Sequence, residues 1–234
     1  MESISERVQA ARAALAAACE RSGRDPREVT LVAATKTRTV EEIRQVVEAG
    51  VHNLGENYVQ ELRAKREALD KAAPGRVLWH VIGHVQRNKV KYLVPGTALI
   101  HSVDNGALAQ EIERRAAGAG LRQAVLLEVN LAGEGSKSGV AAEEVPELAR
   151  ILLTLPHVDL QGLMCLPPYA EQPEASRPYF VALRGLAAEL VAQGLPPGSM
   201  RHLSMGMSGD FSVAVEEGAT LVRLGTVLFG PRPG

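Results

Sequence analysis

The chain has 234 residues, of which 46% are hydrophobic and 23% are charged, and its formal net charge is −1. This composition is typical of a globular protein with a large core, and the near-neutral charge gives no field that would attract nucleic acid or an anionic membrane. With no run of about 18 apolar residues and no apolar signal-peptide core at the N-terminus, the sequence predicts a cytoplasmic protein that does not span a membrane.

The first predicted element is a helix. Apolar residues recur at helical spacing between Ile4 and Ala18, and Ser3 with Glu6 can form a capping box at its start. After residue 25 the pattern changes, and short apolar runs begin to alternate with longer amphipathic stretches.

The short apolar runs predict eight strands. They lie at residues 29–35, 51–55, 77–83, 98–104, 124–130, 158–166, 200–204 and 220–225. Helical patterns separate nearly every pair of strands, most clearly at residues 39–50, 105–120, 141–156 and 173–194.

Strands separated regularly by helical stretches indicate βαβ units and a parallel sheet. Eight such strands within about 200 residues fit a closed (β/α)8 barrel of the TIM type, whereas an open doubly wound sheet is the alternative. No linker or low-complexity segment divides the chain. We therefore predict a single α/β domain over residues 1–234, in which the N-terminal helix, residues 1–25, packs on the barrel.

A functional site is predicted at the barrel mouth, around Lys36. In this architecture active sites lie at the C-terminal ends of the strands, and a phosphate often binds in the loops after the last two. Lys36 follows the first strand, which neighbours the eighth in a closed barrel. The stretch SMGMSGD, residues 204–210, follows the seventh strand, and Gly225-Thr226 follows the eighth. Their glycines and hydroxyls are what a phosphate site needs.

A lysine beside a phosphate site, with Arg223 one strand away, indicates pyridoxal 5′-phosphate (PLP) held as a lysine aldimine. The lysine would bond the aldehyde, the hydroxyls and glycines would bind the phosphate, and the arginine would face the ring nitrogen. An alternative is a phosphate-binding barrel without pyridoxal chemistry, in which Lys36 only neutralises the phosphate.

Seven stretches then point to a family. In chain order they are LVAATKTRTVEEI, GVHNLGENYVQEL, WHVIGHVQRNKVKYL, IHSVDN, EVNLAGEGSKSGV, GLMCLPP and LSMGMSGDFSVAVEEGATLVRLGTVLFG. By these stretches the chain resembles the pyridoxal-phosphate homeostasis proteins, relatives of the N-terminal barrel of alanine racemase. The resemblance covers nearly the whole chain, and the last stretch is the most specific.

The resemblance implies the alanine racemase N-terminal fold and a role in holding, buffering or delivering PLP. It implies that Lys36 carries the Schiff base, that Arg223 faces the pyridine nitrogen and that Asn57 lies near the cofactor. The residues that it places around the phosphate are Ser204, Gly206, Gly225 and Thr226.

Two functions from different classes fit this site, a PLP carrier and a PLP-dependent amino-acid racemase. In the racemases a second acid–base group comes from a C-terminal domain, whereas this chain ends nine residues after Gly225. We therefore expect a monomeric carrier without robust turnover and with no catalytic residue, whose partners are PLP and PLP-dependent apo-enzymes rather than nucleic acid or membrane.

Two further features have a functional and a structural interpretation. Lys137, in the loop after the fifth strand, is either a second amine that contacts or transfers the cofactor or an exposed loop lysine. His80 and His84 have the spacing of zinc ligands on a helix, but here they fall on a strand end and its loop, so no metal site is predicted. His80 is instead expected to line the barrel mouth.

Overall fold

The computed structural model describes residues 2–72, 75, 77–133 and 138–231. Its centre is a closed barrel of parallel strands. The strands are β1 (Thr30–Ala34), β2 (Asn53–Glu56), β3 (Leu78–Val81), β4 (Leu99–Val103), β5 (Gln123–Asn130), the two-residue β6 (Val140–Ala141), β7 (Val158–Cys165), β8 (His202–Ser204) and β9 (Leu221–Leu224).

The pairing order closes the barrel. Starting from β1, each strand pairs in parallel with the next as far as β5, which pairs with β7, and β8 and β9 lead back to β1. The short β6 adds only to the edge of β5. All eight predicted strands are therefore confirmed, and the closed barrel, rather than the open sheet, is the correct architecture.

Helices surround the barrel. They are α1 (Ile4–Arg21), α2 (Val40–Glu48), α3 (Val59–Ala72), α4 (Gly106–Gly118), α5 (Val145–Leu153), α6 (Arg177–Ala192), α7 (Phe211–Glu216) and α8 (Thr226–Phe229). The connection between β3 and β4 contains a 3-10 helix, Arg87–Tyr92, in place of an α-helix. Within the described parts of the chain, no helix is both long enough and apolar enough to cross a membrane.

The predicted N-terminal helix and its capping box are confirmed. In α1 the Ser3 hydroxyl accepts a hydrogen bond from the Glu6 backbone N–H, and the Glu6 carboxylate accepts one from the Ser3 N–H. The helix buries Val8, Leu15 and Ala18 and packs against α2, α7 and α8. These three helices follow β1, β8 and β9, so α1 packs on the side of the barrel that carries Lys36 and Arg223.

Two apolar clusters hold the barrel. The larger one fills the space between strands and helices, where each fully buried aliphatic side chain contributes about 1.5–3 kcal/mol. The smaller one lies inside the barrel and is formed by Val32, Leu99, Leu126, Met164 and Leu221. His80, His101, Ser204 and Arg223 are also buried in the described part of the chain, and buried side chains of these types are unusual in a core.

Candidate functional site

A cavity of about 560 Å³ opens at the C-terminal ends of the strands, within the usual size range of cofactor pockets. Its walls come from the ends of β1, β2, β3, β7 and β9 and from the loops after β7 and β8. Five of the residues predicted from the sequence line it together: Lys36, Asn57, Arg223, Gly225 and Thr226.

Lys36 stands on a tight turn directly after β1. The Arg38 backbone N–H donates to the Thr35 carbonyl at 3.0 Å, so Thr35–Arg38 form a β-turn. Thr37 has a φ of +63° and is the only residue other than glycine with a positive φ among the described residues. A β-branched residue in this conformation is strained by about 1–3 kcal/mol, and such strain is concentrated at functional sites.

Two side chains of helix α3 bind the backbone of this turn. Lys65 Nζ donates to the Thr35 carbonyl at 2.8 Å, to Glu56 Oε1 at 2.6 Å and to Glu61 Oε2 at 2.7 Å. Glu61 Oε2 also accepts a hydrogen bond from the Thr37 backbone N–H at 2.9 Å. The turn is therefore bonded to α3 on both sides of Lys36, at the Thr35 carbonyl and at the Thr37 N–H. Neither Glu61 nor Lys65 was identified as functional from the sequence.

Arg223 is the buried cation of the site, with only 3% of its surface exposed. Its Nη1 donates to Ser204 Oγ at 2.5 Å and its Nη2 donates to the Cys165 carbonyl at 2.9 Å. Burial lowers the pKa of Arg223, while the carboxylates of Glu128 and Asp210 act in the opposite direction. A guanidinium remains charged under these conditions, so the cavity contains a fixed positive charge in a defined orientation.

The loops after β8 and β9 are joined at the rim by Ser208. Its hydroxyl accepts hydrogen bonds from the backbone N–H groups of Gly225, at 3.1 Å, and Val227, at 3.4 Å. An added Cβ at Gly225 would touch Ala34 only at an ordinary distance of 3.7 Å. The glycine is therefore not required by internal packing, and its small size leaves the backbone accessible from the cavity.

The structure does not bring Ser204 and Gly206 to this cavity. Among the described residues, Ser208 lines it, whereas Ser204 is fully buried below Arg223. Gly206 has a φ of +89°, and a Cβ there would lie 2.5 Å from the Ala214 Cβ, so this glycine is required by close packing against α7. The sequence predicted the end of β8 at residue 204 correctly, but it does not show that Ser204 is buried while Ser208 reaches the cavity.

Ser204 begins a chain of hydrogen bonds through the barrel interior. Its Oγ lies 2.8 Å from His101 Nδ1, His101 Nε2 lies 2.9 Å from His80 Nδ1, and His80 Nε2 lies 3.0 Å from Asn53 Oδ1. Because Asn53 Oδ1 can only accept, each neutral imidazole carries its hydrogen on Nε2 and accepts on Nδ1, and the Ser204 hydroxyl, which accepts from Arg223, donates to His101 Nδ1. Each hydrogen bond of the chain then has one donor and one acceptor, and all of them donate in the direction from Arg223 to Asn53.

Both imidazoles are held neutral by their surroundings. Burial lowers the pKa of His80 to about 4 and lowers the pKa of His101 well below its usual range. The prediction that His80 lines the mouth is wrong: among the residues described, it belongs to the interior chain and not to the cavity wall. Its strand position was read correctly, but the alternation could not show at which depth the side chain lies.

Two polar atoms beside the site are unusual. Asn57 Oδ1 and Glu128 Oε2 are buried and have no hydrogen-bond partner within the described parts of the chain. Burial, with a further contribution from Asp104, raises the pKa of Glu128 to about 7. A buried polar atom without a partner costs about 1–3 kcal/mol, so the Asn57 amide at the cavity wall is suited to a ligand.

Two other predictions concern residues around the mouth. Lys137 lies outside the described residues, and both interpretations of it stay open. Among residues 2–72, 75, 77–133 and 138–231, no group of three or more His, Cys, Asp or Glu side chains is arranged to hold a metal ion. His84 faces Asp104 at 3.4 Å at the edge of the loop after β3.

Comparison with known proteins shows what this chain is similar to. The family described as "Alanine racemase, N-terminal domain" matches residues 8–233. The pyridoxal phosphate homeostasis protein of Aquifex aeolicus (strain VF5) is 50% identical over 218 residues, or 92% of each chain. The protein of the same name from Pseudomonas aeruginosa is 39% identical over 233 residues, covering 99% of this chain and 97% of its own.

A solved structure supports the same grouping. PipY of Synechococcus elongatus PCC7942, determined with PLP bound, superimposes with a TM-score of 0.84 at 35% identity. The superposition covers 97% of this chain and 100% of PipY.

Proposed function

Because this chain belongs to the family of the pyridoxal phosphate homeostasis proteins, we propose that it binds PLP in the mouth cavity and buffers or delivers it. The observation that carries this proposal is the meeting of an amine, Lys36, and a buried guanidinium, Arg223, in one cavity with Gly225 and Thr226. The unpartnered Asn57 Oδ1 provides the test of fit, since a buried amide oxygen without a partner can accept a hydrogen bond from a polar group of the cofactor.

Each residue has a defined part in this proposal. PLP supplies an aldehyde, an electron-withdrawing ring and a phosphate. Lys36 condenses through its neutral amine with the aldehyde carbon, forming a C=N bond and releasing one water molecule. Arg223 faces the ring nitrogen and disfavours its protonation. Ser208 joins Gly225 and Thr226 at the phosphate.

The expected role of Ser204 changes in this proposal. Its hydroxyl is already bonded to Arg223 and His101, so we assign it to holding the guanidinium, while Ser208 takes the phosphate contact. Gly206 supports the loop that carries Ser208. Both residues therefore act on the cofactor through a neighbour.

The exposed rim favours a carrier over a racemase. Tyr169 is 93% exposed, and Leu166 and Met207 also present more than a third of their surface to solvent beside the cavity. Abstraction of a proton from an amino acid needs a second acid–base group and exclusion of water. An accessible mouth instead suits exchange of the cofactor with another protein.

We further propose that the protein acts in the cytoplasm, as a monomer, and passes PLP to apo-enzymes. The homeostasis relatives support the carrier role, and the accessible rim supports direct transfer. Sedimentation of the loaded protein should give the mass of one chain. When a PLP-dependent apo-enzyme is mixed with the loaded protein, the enzyme should regain activity faster than when it is mixed with free PLP at the same concentration.

The central experiment locates the covalent bond. Purified protein is incubated with PLP, reduced with borohydride, digested and sequenced by mass spectrometry. We expect the pyridoxyl adduct on Lys36, and we expect the visible absorbance band and the adduct to disappear in Lys36→Ala but to persist in the control Lys91→Ala, which changes an exposed lysine. A protein that stays colourless and unmodified with PLP would refute the proposal.

The same preparation separates carrier from racemase. Loaded protein is incubated with L-alanine, and the appearance of D-alanine is followed by chiral chromatography. If the protein is a carrier, we expect no sustained formation of D-alanine. Many turnovers per chain would refute the carrier function and support a racemase.

A further inference from the structure

The geometry of the Lys36 turn raises the question of what keeps a threonine at a positive φ. Thr37 has a φ of +63°, and a chain free to relax would leave this conformation. The hydrogen bond that closes the turn, from the Arg38 N–H to the Thr35 carbonyl, constrains Lys36 and Thr37 but gives the Thr37 N–H no partner within the turn. That N–H is bonded from outside the turn.

Two side chains of α3, four residues apart, provide that interaction. Lys65 Nζ donates to the Thr35 carbonyl, which belongs to the peptide group before Lys36. Glu61 Oε2 accepts from the Thr37 N–H, which belongs to the peptide group after Lys36. The two side chains also bind each other at 2.7 Å. Lys65 and Glu61, named the α3 clamp below, therefore grip both peptide groups that flank the Lys36 α-carbon.

The α3 clamp is anchored to the barrel rather than to solvent. Lys65 is 7% exposed, and its third hydrogen bond goes to Glu56, a fully buried residue of β2. Burial raises the pKa of Glu56, while the hydrogen bonds from Lys65 and Thr35 act in the opposite direction. The three donors of the ammonium are all used, so Lys65 has one orientation.

We propose that Lys65 and Glu61 are positioning residues that hold the strained turn and so direct the Lys36 amine into the cavity. This inference rests on the proposed PLP function. It also explains the strain, because a rigid turn holds the amine where a relaxed one would let it move. A misplacement of about 1 Å is sufficient to reduce a reaction markedly.

The strain supplies a test that separates positioning from general stability. Glycine adopts a positive φ at no steric cost, so Thr37→Gly should allow the turn to keep its shape without the α3 clamp. The variants are Lys65→Met, Thr37→Gly, their combination, and Lys91→Met as a control at an exposed lysine. The measured quantities are the apparent dissociation constant for PLP, the yield of the Lys36 adduct and the urea midpoint.

We expect Lys65→Met to weaken PLP binding by about tenfold or more and to lower the urea midpoint. In the double variant Lys65→Met/Thr37→Gly, we expect the dissociation constant for PLP to return to within about twofold of that of Thr37→Gly alone. The urea midpoint of the double variant should stay low, because Glu56 remains without its cation. Unchanged binding in Lys65→Met, or a double variant that binds no better than Lys65→Met, would overturn the proposal.

Glu61 gives a second route that does not depend on whether Lys65→Met folds. Glu61 is partly exposed, and Glu61→Gln keeps an acceptor for the Thr37 N–H, whereas Glu61→Ala removes it. We expect PLP binding to be retained in Glu61→Gln and reduced in Glu61→Ala. Equal binding in both variants would contradict the role of Glu61.

Hydrogen exchange keeps the inference distinct from the PLP proposal. In the protein without PLP, the Thr37 amide should exchange slowly and should lose this protection in Glu61→Ala. If the wild-type protein forms no adduct at Lys36, the proposed function fails while this measurement still decides whether the α3 clamp exists. Rapid exchange of the Thr37 amide in wild-type protein would refute the clamp itself.

Discussion

The histidine chain inside the barrel predicts a specific loss of stability in acid. His80 and His101 each accept a hydrogen bond on Nδ1, so protonating either ring removes an acceptor that the chain requires. The buried environment lowers the pKa of His80 from 6.5 to about 4. The unfolded chain therefore binds a proton at higher pH than the folded one, and stability is lost as the pH falls from 6.5 towards 4.

The magnitude follows from this difference. Each pKa unit corresponds to about 1.4 kcal/mol, so the drop at His80 is worth about 3 kcal/mol of unfolding free energy at a pH below 4. His80→Gln is the matched perturbation. Its amide oxygen can accept from His101 and its NH2 can donate to Asn53, so the variant keeps the direction of the chain and removes the titration.

The assay is urea unfolding of the PLP-free protein at a series of pH values between 7.5 and 4. We expect His80→Gln to be close to wild type at pH 7.5 and to gain relative stability as the pH falls, by about 2–3 kcal/mol at the acid end. Carboxylates that titrate in this range are common to both proteins and cancel. His80→Leu should instead lose about 1–3 kcal/mol at neutral pH, because it leaves the Nε2–H of His101 without a partner. A stability difference between wild type and His80→Gln that is flat with pH would refute the reasoning.

Two further perturbations test other parts of the structure by the same unfolding measurement. Because burial raises the pKa of Glu128 from 4.5 to about 7, the folded chain holds its proton more tightly than the unfolded one, and stability is lost as the pH rises from 4.5 through 7. Glu128→Gln should therefore gain up to about 3 kcal/mol over wild type at pH 8.5 and less at pH 5, and an equal effect at both pH values would contradict this. Gly162→Ala should lose more than about 3 kcal/mol, since its Cβ would lie 1.9 Å from the His202 carbonyl oxygen across β7 and β8. Gly185→Ala, in open space on α6, is the control and should gain about 0.5–1 kcal/mol; a tolerated Gly162→Ala would refute the close approach.

The barrel could be predicted because its signals are local and repeated. Each of the eight strands is a short apolar run bounded by turns, and α1, α2, α4, α5 and α6 fall on the helical patterns of the sequence. The connection between β3 and β4 departs from this pattern, since it contains the 3-10 helix Arg87–Tyr92 in place of an α-helix. The two-residue β6 was missed because it carries no periodic signal of its own.

The cavity residues were accessible to sequence reasoning for a topological reason. In a closed parallel barrel, residues that follow strands all point to one end, so Lys36, Asn57, Gly225 and Thr226 had to meet once the strands were placed. The depth of a residue is a different matter. β8 ends at Ser204, as predicted, but the hydroxyl of this last strand residue is bonded to His101 and Arg223 and not to the cavity, and these tertiary partners do not show in the local sequence.

The α3 clamp and the histidine chain lay beyond the sequence because they are tertiary. Glu61 and Lys65 are spaced like an ordinary surface ion pair on a helix, and only the docking of α3 on the barrel places them under the Lys36 turn. His80, His101 and Ser204 come from three strands that are not all neighbours. Their hydrogen bonds cross the barrel lumen, where no periodicity of a single strand can show them.

These two networks share a physical logic that connects the fold to the proposed function. Arg223 is oriented by buried hydrogen bonds to Ser204 and the Cys165 carbonyl, and in our proposal the α3 clamp orients Lys36 through the backbone of its turn. Polar groups are costly inside a protein unless they are paired, so a barrel that fills part of its interior with them gives up apolar packing in return for fixed orientation. The rim, in contrast, exposes Tyr169 and Met207. Because the residues at the bottom of the cavity are already ordered, binding a cofactor there would cost little conformational entropy. Because the rim is accessible, a second protein could reach the bound cofactor.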